Sequence, residues 1–250
     1  MYQFDVKQTT KDIVAWVKDQ FEKTATPETK AVIGISGGKD SSVAAAVCVE
    51  ALGKDRVIGV LMPQGEQADI DCARLLMDHL GIKSYEINVG ESVEAVKKAV
   101  GGAMELAEGA KINTPPRIRM TVLYAVAACV NGRVCNTCNA SEDYVGYSTK
   151  YGDAAGDFSP LSDLTVTEVI AIGDELGLPY ELTHKVPIDG LCGKTDEDNL
   201  GFTYAMLDQY IRGLTDLSDQ PEIRDNIERR HRANLHKLRL MPKFVYEPEK

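Results

Sequence analysis

The stretch KAVIGISGGKDSS, residues 30–42, decides the fold of this 250-residue chain. Its first half is a short run rich in Val and Ile, which is typical of a buried parallel β-strand. Two consecutive glycines then indicate a tight turn, and the following SVAAAVCVEAL has helical character and ends at Gly53. A strand, a glycine turn and a helix start place backbone N–H groups and the positive end of a helix around one anion. The stretch therefore predicts a phosphate-binding loop at the end of the first strand.

The same alternation of strand and helix continues after this stretch. RVIGVLMP predicts the next strand, a helix is predicted near residues 69–80, and KSYEINV predicts a third strand before a helix at about residues 91–108. PPRIRMTVLYAVAACVNG predicts a further helix that starts at its two prolines, and RVCN predicts a short strand. Alternation at this spacing implies right-handed crossovers. We therefore expect an α/β fold, a parallel twisted sheet with helices on both faces.

Helical signals also mark the two ends of the chain. An apolar stripe indicates a helix at the N-terminus, and Thr165 and Glu168 fit a capping box at the start of a helix in the second half. Further helices are predicted near residues 200–212 and 221–238. The sequence contains no repeat, low-complexity tract or interdomain linker, so we predict a single domain over residues 1–250.

Composition and charge disfavour several classes of protein. Lys and Arg number 28 and Asp and Glu number 38, and the formal net charge of −10 disfavours extended contact with a nucleic-acid backbone. The longest apolar run, Val122–Val130, is too short to span a bilayer, and the N-terminus lacks the pattern of a secretory leader. The six cysteines do not form a disulfide framework. We therefore predict a cytoplasmic protein that acts on small molecules, without nucleic-acid or membrane partners.

Two common phosphate-binding patterns do not fit the glycine loop. A Walker A motif needs a glycine where Ile33 stands and a Ser or Thr where Asp40 stands, and the dinucleotide fingerprint needs a glycine where Ser36 stands. The loop also places the carboxylate of Asp40 inside a site for anions. The alternative is a glycine turn that binds no ligand.

The pattern SGG-x-DS after the first strand of a parallel sheet resembles the pyrophosphatase loop of the N-type ATP pyrophosphatases. This group includes NAD synthetases, GMP synthetases, asparagine synthetases and several tRNA-modifying enzymes. The resemblance implies a Rossmann-like fold of the adenine-nucleotide alpha hydrolase type. It also implies that ATP, as co-substrate, is cleaved between its α and β phosphates to activate a substrate oxygen as an adenylate. Mg²⁺ is then expected as the cofactor that neutralises the leaving pyrophosphate.

The segment NTCNASEDYVGYSTKYGDAAGDFSPL narrows the resemblance to one family. It is similar to the NAD synthetase pattern of a Thr, a Glu five residues later, and T-K-x-G-D with a further Asp. RIRM upstream, TDEDNLG downstream and HK near the C-terminus agree in order and spacing, over nearly the whole chain. The resemblance implies ATP-dependent amidation of deamido-NAD with ammonia, through an adenylated intermediate and with release of AMP and pyrophosphate. It also implies a homodimer.

The resemblance assigns roles to individual residues. The ATP site comprises the loop and one threonine: Gly34, Ile35, Ser36, Gly37, Gly38, Lys39, Asp40, Ser41 and Thr137. Asp40 and Glu142 are implied to hold Mg²⁺, and Asp40 and Lys150 to be catalytic. The residues implied to contact deamido-NAD are Arg117, Lys150, Asp157, His236 and Lys237. Their charges suit a ligand with two phosphates and a carboxylate.

Simpler interpretations of single residues remain open. Arg117 can be an ordinary helix-surface charge, Glu142 can belong to a solvated loop, and His236 and Lys237 can lie on an exposed basic helix face. Tyr124 can stack on a substrate ring or pack in a core or an interface. The joint order of these residues favours the functional interpretation.

The chain departs from the family pattern at two positions. Val166 stands where many members have a lysine that contacts ATP, and Ile188 stands where a Ser or Thr often follows a proline. Lys39, Lys185 or Lys194 can supply the missing phosphate contacts.

Two other functions compete with the synthetase. Cys135 and Cys138 form a C-x-x-C pair beside the expected site, which leaves a tRNA-thiolating ATP pyrophosphatase as a rival, although a metal or cluster site normally needs more thiolates. The second rival is a non-catalytic ATP-sensing protein. It would bind the nucleotide but produce no AMP or pyrophosphate.

Overall fold

Four parallel strands form the sheet in the computed structural model, which describes residues 2–67, 70–185 and 195–246. The strands are β1 (Lys30–Gly34), β2 (Val57–Leu61), β3 (Lys83–Glu86) and β4 (Gly132–Cys135). Their order in the sheet is β3-β2-β1-β4, and every pairing is parallel. The chain therefore moves outward to one side of β1 and then returns to its other side. The carboxyl ends of β1 and β4 meet at this switch point, where parallel α/β sheets bind their ligands.

Helices of the described chain cover both faces of this sheet. They are α1 (Val6–Thr24), α2 (Lys39–Leu52), α3 (Ile70–Leu80), α4 (Gly90–Gly101), α5 (Glu108–Val130), α6 (Ala140–Val145), α7 (Val166–Glu175), α8 (Tyr180–Thr183), α9 (Asp196–Leu200), α10 (Tyr204–Ile211) and α11 (Pro221–Leu238). Side chains of α1, α2, α3, α7 and α8 form one buried apolar cluster with the sheet. Side chains of α5 and of the segment leading into α4 form a second cluster with it. The predicted α/β architecture is confirmed.

A third apolar cluster lies among α6, α10 and α11 and is centred on Val145, Leu207 and Ile227. It fixes the short helix α6 against the C-terminal half of the chain. This packing matters for the site, because α6 carries one of the expected metal ligands, Glu142.

The prediction for the helix around the two prolines was wrong at its start. We expected α5 to begin at Pro115 and α4 to continue to about residue 108, but α4 ends at Gly101 and α5 already begins at Glu108. Neither proline has an N–H to donate to the preceding turn. The carbonyls of Lys111 and Ile112, which lose these donors, belong to exposed residues and can bond to water.

Most other boundaries agree with the sequence patterns. The capping box of Thr165 and Glu168 is present at the start of α7, and α11 spans the predicted residues 221–238. Near residues 200–212 the structure has two short helices, α9 and α10, because Gly201 adopts a left-handed conformation (φ +81°) that ends α9. Among the described residues no helix combines the length and apolar character that a membrane crossing requires.

Candidate active site

The glycine loop connects β1 to α2 at the switch point of the sheet. Gly37 has φ +81°, a conformation that side chains with a Cβ rarely adopt. A Cβ at this position would lie 2.8 Å from the backbone nitrogen of Ala73 and 2.9 Å from Cβ of Cys72. Gly37 therefore lets the loop pass close to α3. Gly38 then caps the helix with extended dihedral angles and no side-chain bond.

The loop serines stabilise the turn in different ways. Ser42 is fully buried and donates a hydrogen bond to the carbonyl of Gly38 (2.8 Å). Ser41 also donates to this carbonyl (3.1 Å), and its oxygen lies 3.2 Å from the hydroxyl oxygen of Ser36. Ser36 is exposed. Ser42 is thus structural, whereas Ser36 faces the open side of the loop, where an anion would bind.

Asp40 and Glu142 converge on the ammonium of Lys39 beside this loop. The ammonium of Lys39 lies 2.9 Å from Oδ2 of Asp40 and 3.7 Å from Oε1 of Glu142. The side chains of Asp40 and Glu142 are 17% and 18% exposed, so they are largely shielded but can be reached from solvent. The parallel pairing of β1 with β4 brings the two carboxylates together from positions 102 residues apart in the sequence.

Asn139 links the carboxylate of Asp40 to the backbone at the start of α6, which carries Glu142, and the sequence analysis missed it. Its Nδ2 donates to Oδ1 of Asp40 (2.9 Å), and its Oδ1 accepts from the backbone N–H of Glu142 (2.9 Å) as the N-cap of α6. The residue is fully buried. The available signal was an Asn three residues before a Glu, which is typical of a helix start. Its bond to Asp40 was not visible in the sequence.

The electrostatics of this cluster favour an added cation. Burial raises the pKa of the Glu142 carboxyl well above its ordinary value, and the nearby charge of Asp40 raises it further, while Lys39 acts in the opposite direction. Burial alone would lower the pKa of Lys39, but the charges of Asp40 and Glu142 outweigh it and raise that pKa. Two converging, partly buried carboxylates with an orienting amide are a donor set that fits Mg²⁺.

Tyr204 is a second residue that the sequence analysis did not identify. It is the first residue of α10 and only 5% exposed, and its ring centroid lies 5.7 Å from the ammonium of Lys39. Its hydroxyl is buried without a hydrogen-bond partner in the described part of the chain. Burial and the charges of Glu142, Asp196 and Asp40 raise the pKa of this phenol. A buried hydroxyl without a partner is unusual, and here it lies beside the carboxylate cluster.

The residues expected to contact the second substrate lie at a different place, around the loop that follows α6. Nε of Arg117 donates to the carbonyl of Lys150 (3.3 Å), and Nζ of Lys150 donates to the carbonyl of His236. Lys237 donates to the carbonyls of Gly146 and Ser148 at 2.7 and 2.9 Å. The structure thus brings α5, this loop and the end of α11 together, and the four predicted residues lie within one connected set.

Asp157 and Thr137 lie next to the end of β4. Oδ2 of Asp157 accepts a hydrogen bond from the backbone N–H of Val134 (2.7 Å), and its Oδ1 accepts one from the hydroxyl of Tyr124 (3.3 Å). Tyr124 is exposed, so it is not a core residue. Thr137 is half-buried and precedes Asn139 by two residues.

Asp153 lies between the carboxylates beside the glycine loop and the basic residues expected to contact the second substrate. The sequence analysis assigned it no role. Its charge acts on both Glu142 and Lys237, and its Oδ1 accepts a hydrogen bond from the backbone N–H of Thr149 (2.8 Å). Burial, together with the charge of Asp153, also raises the pKa of Asp143 to about 6. Asn136 fixes the same segment by donating to the carbonyl of Asp153 (2.8 Å).

Within the described residues the C-x-x-C pair is buried and belongs to no group of metal ligands. Cys135 and Cys138 are both buried, and Sγ of Cys138 donates to the carbonyl of Asp153 (3.4 Å). Burial raises the pKa of both thiols, which keeps them protonated. Within the described residues no three His, Cys, Asp or Glu side chains are grouped as metal ligands. The geometry gives no support to the thiolation rival.

The two departures from the family pattern have different outcomes. Val166 is buried in the third apolar cluster, so this position provides no phosphate contact. Nζ of Lys185 lies 3.8 Å from Sγ of Cys72, a residue that packs against Gly37, so Lys185 lies on the phosphate-loop side of α3. Ile188 and Lys194 lie outside the described residues.

Two surface depressions occur elsewhere in the described structure. One, of about 770 Å³, is lined by Tyr144, Tyr210, Gly213, Leu214, Thr215 and Asp216. The other, of about 250 Å³, lies near Tyr2 and Arg212. Neither is lined by a predicted site residue, so the chemistry is assigned to the switch point and not to the larger depression.

Comparison with known proteins agrees with this geometry. Residues 9–247 match the family model described as NAD synthase. The chain is 36% identical over 221 residues to an NH₃-dependent NAD⁺ synthetase of Pyrococcus furiosus, covering 84% of this chain and 85% of that protein. It is 42% identical over 199 residues to one of Methanococcus aeolicus, covering 77% of each.

Solved structures show the same relationship. An NMN synthetase from Francisella tularensis superimposes with a TM-score of 0.87 at 32% identity, covering 98% of this chain and all of that one. An NH₃-dependent NAD synthetase from Campylobacter jejuni, solved with a nitrate ion, superimposes with a TM-score of 0.80 at 25% identity, covering 97% and 100%. The expected Rossmann-like fold of the adenine-nucleotide alpha hydrolase type is confirmed. By sequence, structure and the arrangement at its switch point, this chain belongs to the NAD synthase family.

Proposed function

We propose that this protein is an ammonia-dependent NAD synthetase, a ligase that forms a C–N bond. It amidates the nicotinate carboxylate of deamido-NAD, consuming ATP and ammonia and releasing AMP and pyrophosphate through an adenylated intermediate. The observation that carries this proposal is that the carboxylates of Asp40 and Glu142 meet beside a glycine loop, where both face the ammonium of Lys39. A non-catalytic ATP sensor has no need for a second, buried metal ligand.

The loop side of the site acts on ATP. The glycine loop and the N-terminus of α2 bind the phosphates, with Ser36 on the open side, and the half-buried Thr137 also contacts ATP. Asp40 and Glu142 would hold Mg²⁺, which supplies neutralisation of charge on the phosphates and the leaving pyrophosphate. Asn139 orients the carboxylate of Asp40 directly and fixes the backbone of Glu142 at the start of α6. The hydroxyl of Tyr204 is available to donate to an incoming oxygen.

The other side of the site binds the acid substrate. Arg117, Lys150 and Lys237 donate to backbone carbonyls, which are neutral acceptors. An anionic phosphate or carboxylate is a stronger partner than a carbonyl, so binding of deamido-NAD can replace these bonds. Asp157 and His236 lie in the same region and can bond to hydroxyls of the substrate. Among these residues, we assign Lys150 the catalytic role of stabilising the carboxylate during its activation.

We further propose a homodimer and a cytoplasmic location. The homodimer is supported by a C-terminal segment with a run of exposed apolar side chains, namely Leu240, Met241, Phe244, Val245 and Tyr246. A run of this kind is typical of an interaction surface. The location is supported by free thiols at the five described cysteines.

A second candidate substrate is the mononucleotide of nicotinic acid. It is favoured by one observation, the close superposition with a protein described as an NMN synthetase. The same carboxylate would be activated and the same residues would act. Only the contacts to the distal adenylate moiety would be unnecessary.

The test is a direct product analysis. Purified protein is incubated with ATP, Mg²⁺ and ammonium, together with deamido-NAD or nicotinate mononucleotide, and the products are identified by mass. We expect NAD, AMP and pyrophosphate in equal amounts, and Asp40→Asn serves as the inactive control. Preferential amidation of the mononucleotide would favour the second candidate. Nucleotide binding without AMP would favour the sensor, and activity with glutamine alone, without ammonium, would contradict the ammonia requirement.

A further inference from the structure

Lys39 is buried at the centre of the expected metal site. Its side chain is only 6% exposed, although it is the first residue of α2 and lies at the phosphate loop. Its ammonium donates to Asp40 (2.9 Å), lies 3.7 Å from Glu142 and faces the ring of Tyr204. A buried ammonium is costly unless it is paired with anions. Its two carboxylate partners at these distances are the same two residues that would hold Mg²⁺.

Lys39 and a metal ion cannot both use these carboxylates in this geometry. Mg²⁺ binds carboxylate oxygens at about 2.0–2.1 Å, so an ion shared by Asp40 and Glu142 would lie close to the present position of the ammonium. Two cations at that separation repel each other strongly in a shielded site. Binding of the metal therefore requires the lysine side chain to leave the cluster.

The displaced ammonium needs another anion, and the proposed reaction provides one. Lys39 lies at the N-terminus of α2, where phosphates are expected to bind to the loop. We propose that Lys39 is a displaceable counter-cation: its ammonium pairs with Asp40 and Glu142 before the metal binds and moves to the polyphosphate when metal and nucleotide arrive together. This inference rests on the proposed function for the identity of the phosphate ligand, but its first test does not depend on turnover.

The consequence is that metal and nucleotide bind cooperatively. Without nucleotide, the metal must expel a buried ammonium that has no phosphate to pair with, so the affinity for the metal is low. With nucleotide present, the ammonium gains a phosphate partner and the metal gains phosphate oxygens. Each ligand therefore raises the affinity for the other, by the same factor.

The first experiment measures the affinity of the metal-free protein for Mn²⁺, a paramagnetic substitute for Mg²⁺, at pH 8. The proteins compared are wild type, Lys39→Met and Lys39→Gln, with Lys97→Met as the matched control. Lys97 is a lysine on α4 that pairs with Glu94 on the same helix. We expect the Lys39 variants to bind Mn²⁺ at least about tenfold more tightly than wild type without nucleotide, because they leave two uncompensated carboxylates. Adding Glu142→Gln to Lys39→Met should remove the gain.

The second experiment repeats the titration with a non-hydrolysable ATP analogue at saturating Mn²⁺. Here the Lys39 variants should bind the analogue about tenfold more weakly, because the phosphate has lost its cation. Equal or weaker Mn²⁺ binding by the Lys39 variants without nucleotide would overturn the inference, as would unchanged binding of the analogue.

If Lys39→Met is unfolded without metal, recovery of the fold on addition of Mn²⁺ supports the inference, and failure of Lys39→Gln to recover contradicts it. Success of both titrations together with a failed amidation assay would overturn the proposed function alone.

Discussion

The two halves of the site hold their charged side chains in different ways. On the loop side, Asn139 bonds the carboxylate of Asp40 and the backbone N–H of Glu142, and Lys39 pairs with both carboxylates, so their positions are set before a ligand arrives. On the substrate side, Arg117 and Lys150 donate to backbone carbonyls and form no ion pair within the described residues. Carbonyls are weaker partners than carboxylates. The difference indicates a preorganised half that performs the chemistry and an adaptable half whose positive charge is available for the substrate.

The strongest test of this comparison is Asp40→Asn. It removes one of two charges that offset Mg²⁺, so kcat/KM should fall by about 10²–10³-fold, and Glu142→Gln should have a similar effect. The double variant should be little worse than either single one if both residues hold one ion. Because Asp40 also pairs with buried Lys39, thermal or urea unfolding should show a loss of about 1–2 kcal/mol. Near-normal turnover of Asp40→Asn at saturating Mg²⁺ would contradict the metal assignment.

The preorganisation of the loop side is tested by Asn139→Ala. This change removes the N-cap of α6 and the bond to Asp40, and we expect a loss of about 1–2 kcal/mol in stability and about 10–100-fold in kcat/KM. The control is Asp5→Ala, which removes the N-cap of α1 far from the site and should lower stability without an effect on turnover. If both variants lose only stability, Asn139 acts as a cap and not as a positioning residue.

The adaptable half is tested by Arg117→Ala. Its bond to the carbonyl of Lys150 is long and exposed, so stability should change by less than about 0.5 kcal/mol. KM for the acid substrate should rise about tenfold, whereas KM for ATP should not change, because we expect Arg117 to contact only the second substrate. Steady-state kinetics with each substrate varied in turn measure this split. A rise in KM for ATP alone would contradict the assignment of Arg117 to the substrate side of the site.

The acidic residues of the site predict how stability depends on pH in metal-free buffer. The folded-state pKa of Asp143 is raised to about 6, above the value of about 3.8 expected after unfolding. Between these values the folded state binds more protons than the unfolded state, so stability is highest at the acid end and falls as pH rises from about 4 to about 6. Asp143→Asn should reduce this fall by about 1–2 kcal/mol, as measured by urea unfolding at both pH values. An unchanged pH profile would show that Asp143 is solvated.

The smallest effect on turnover is expected from the cysteines. Cys135→Ala with Cys138→Ala removes two buried thiols that adenylation and attack by ammonia do not need, so kcat should stay within about twofold of wild type. The lost packing should lower stability by about 1–2 kcal/mol in total. A large loss of activity in a folded double variant would restore the thiolation rival.

The parts of this protein that could be predicted from sequence are those that depend on neighbouring residues. The strand, the glycine turn and the start of α2 follow from one stretch, because Gly37 must adopt a positive φ and the Val-Ile run must be buried. The order of motifs also indicated the family, and with it the expectation that Asp40 and Glu142 are metal ligands. The predicted start of α5 was wrong because the helix tolerates Pro115 where the preceding turn, at Lys111, is exposed to solvent, and the local pattern does not show this exposure.

What only the tertiary structure decided is which distant residues meet. Nothing in the sequence near Asn139 indicates its bond to Asp40, 99 residues away, because that bond depends on the pairing of β1 with β4. The burial of Lys39 between two carboxylates likewise arises from α6 and α10 packing against the loop, as does the Tyr204 hydroxyl that finds no partner among the described residues. The sequence by itself determined the local conformations and the types of chemical groups, since these are set by short-range sterics and hydrogen bonding. The fold determined the distances between these groups and their charge states, since both depend on which elements share a sheet edge and exclude water.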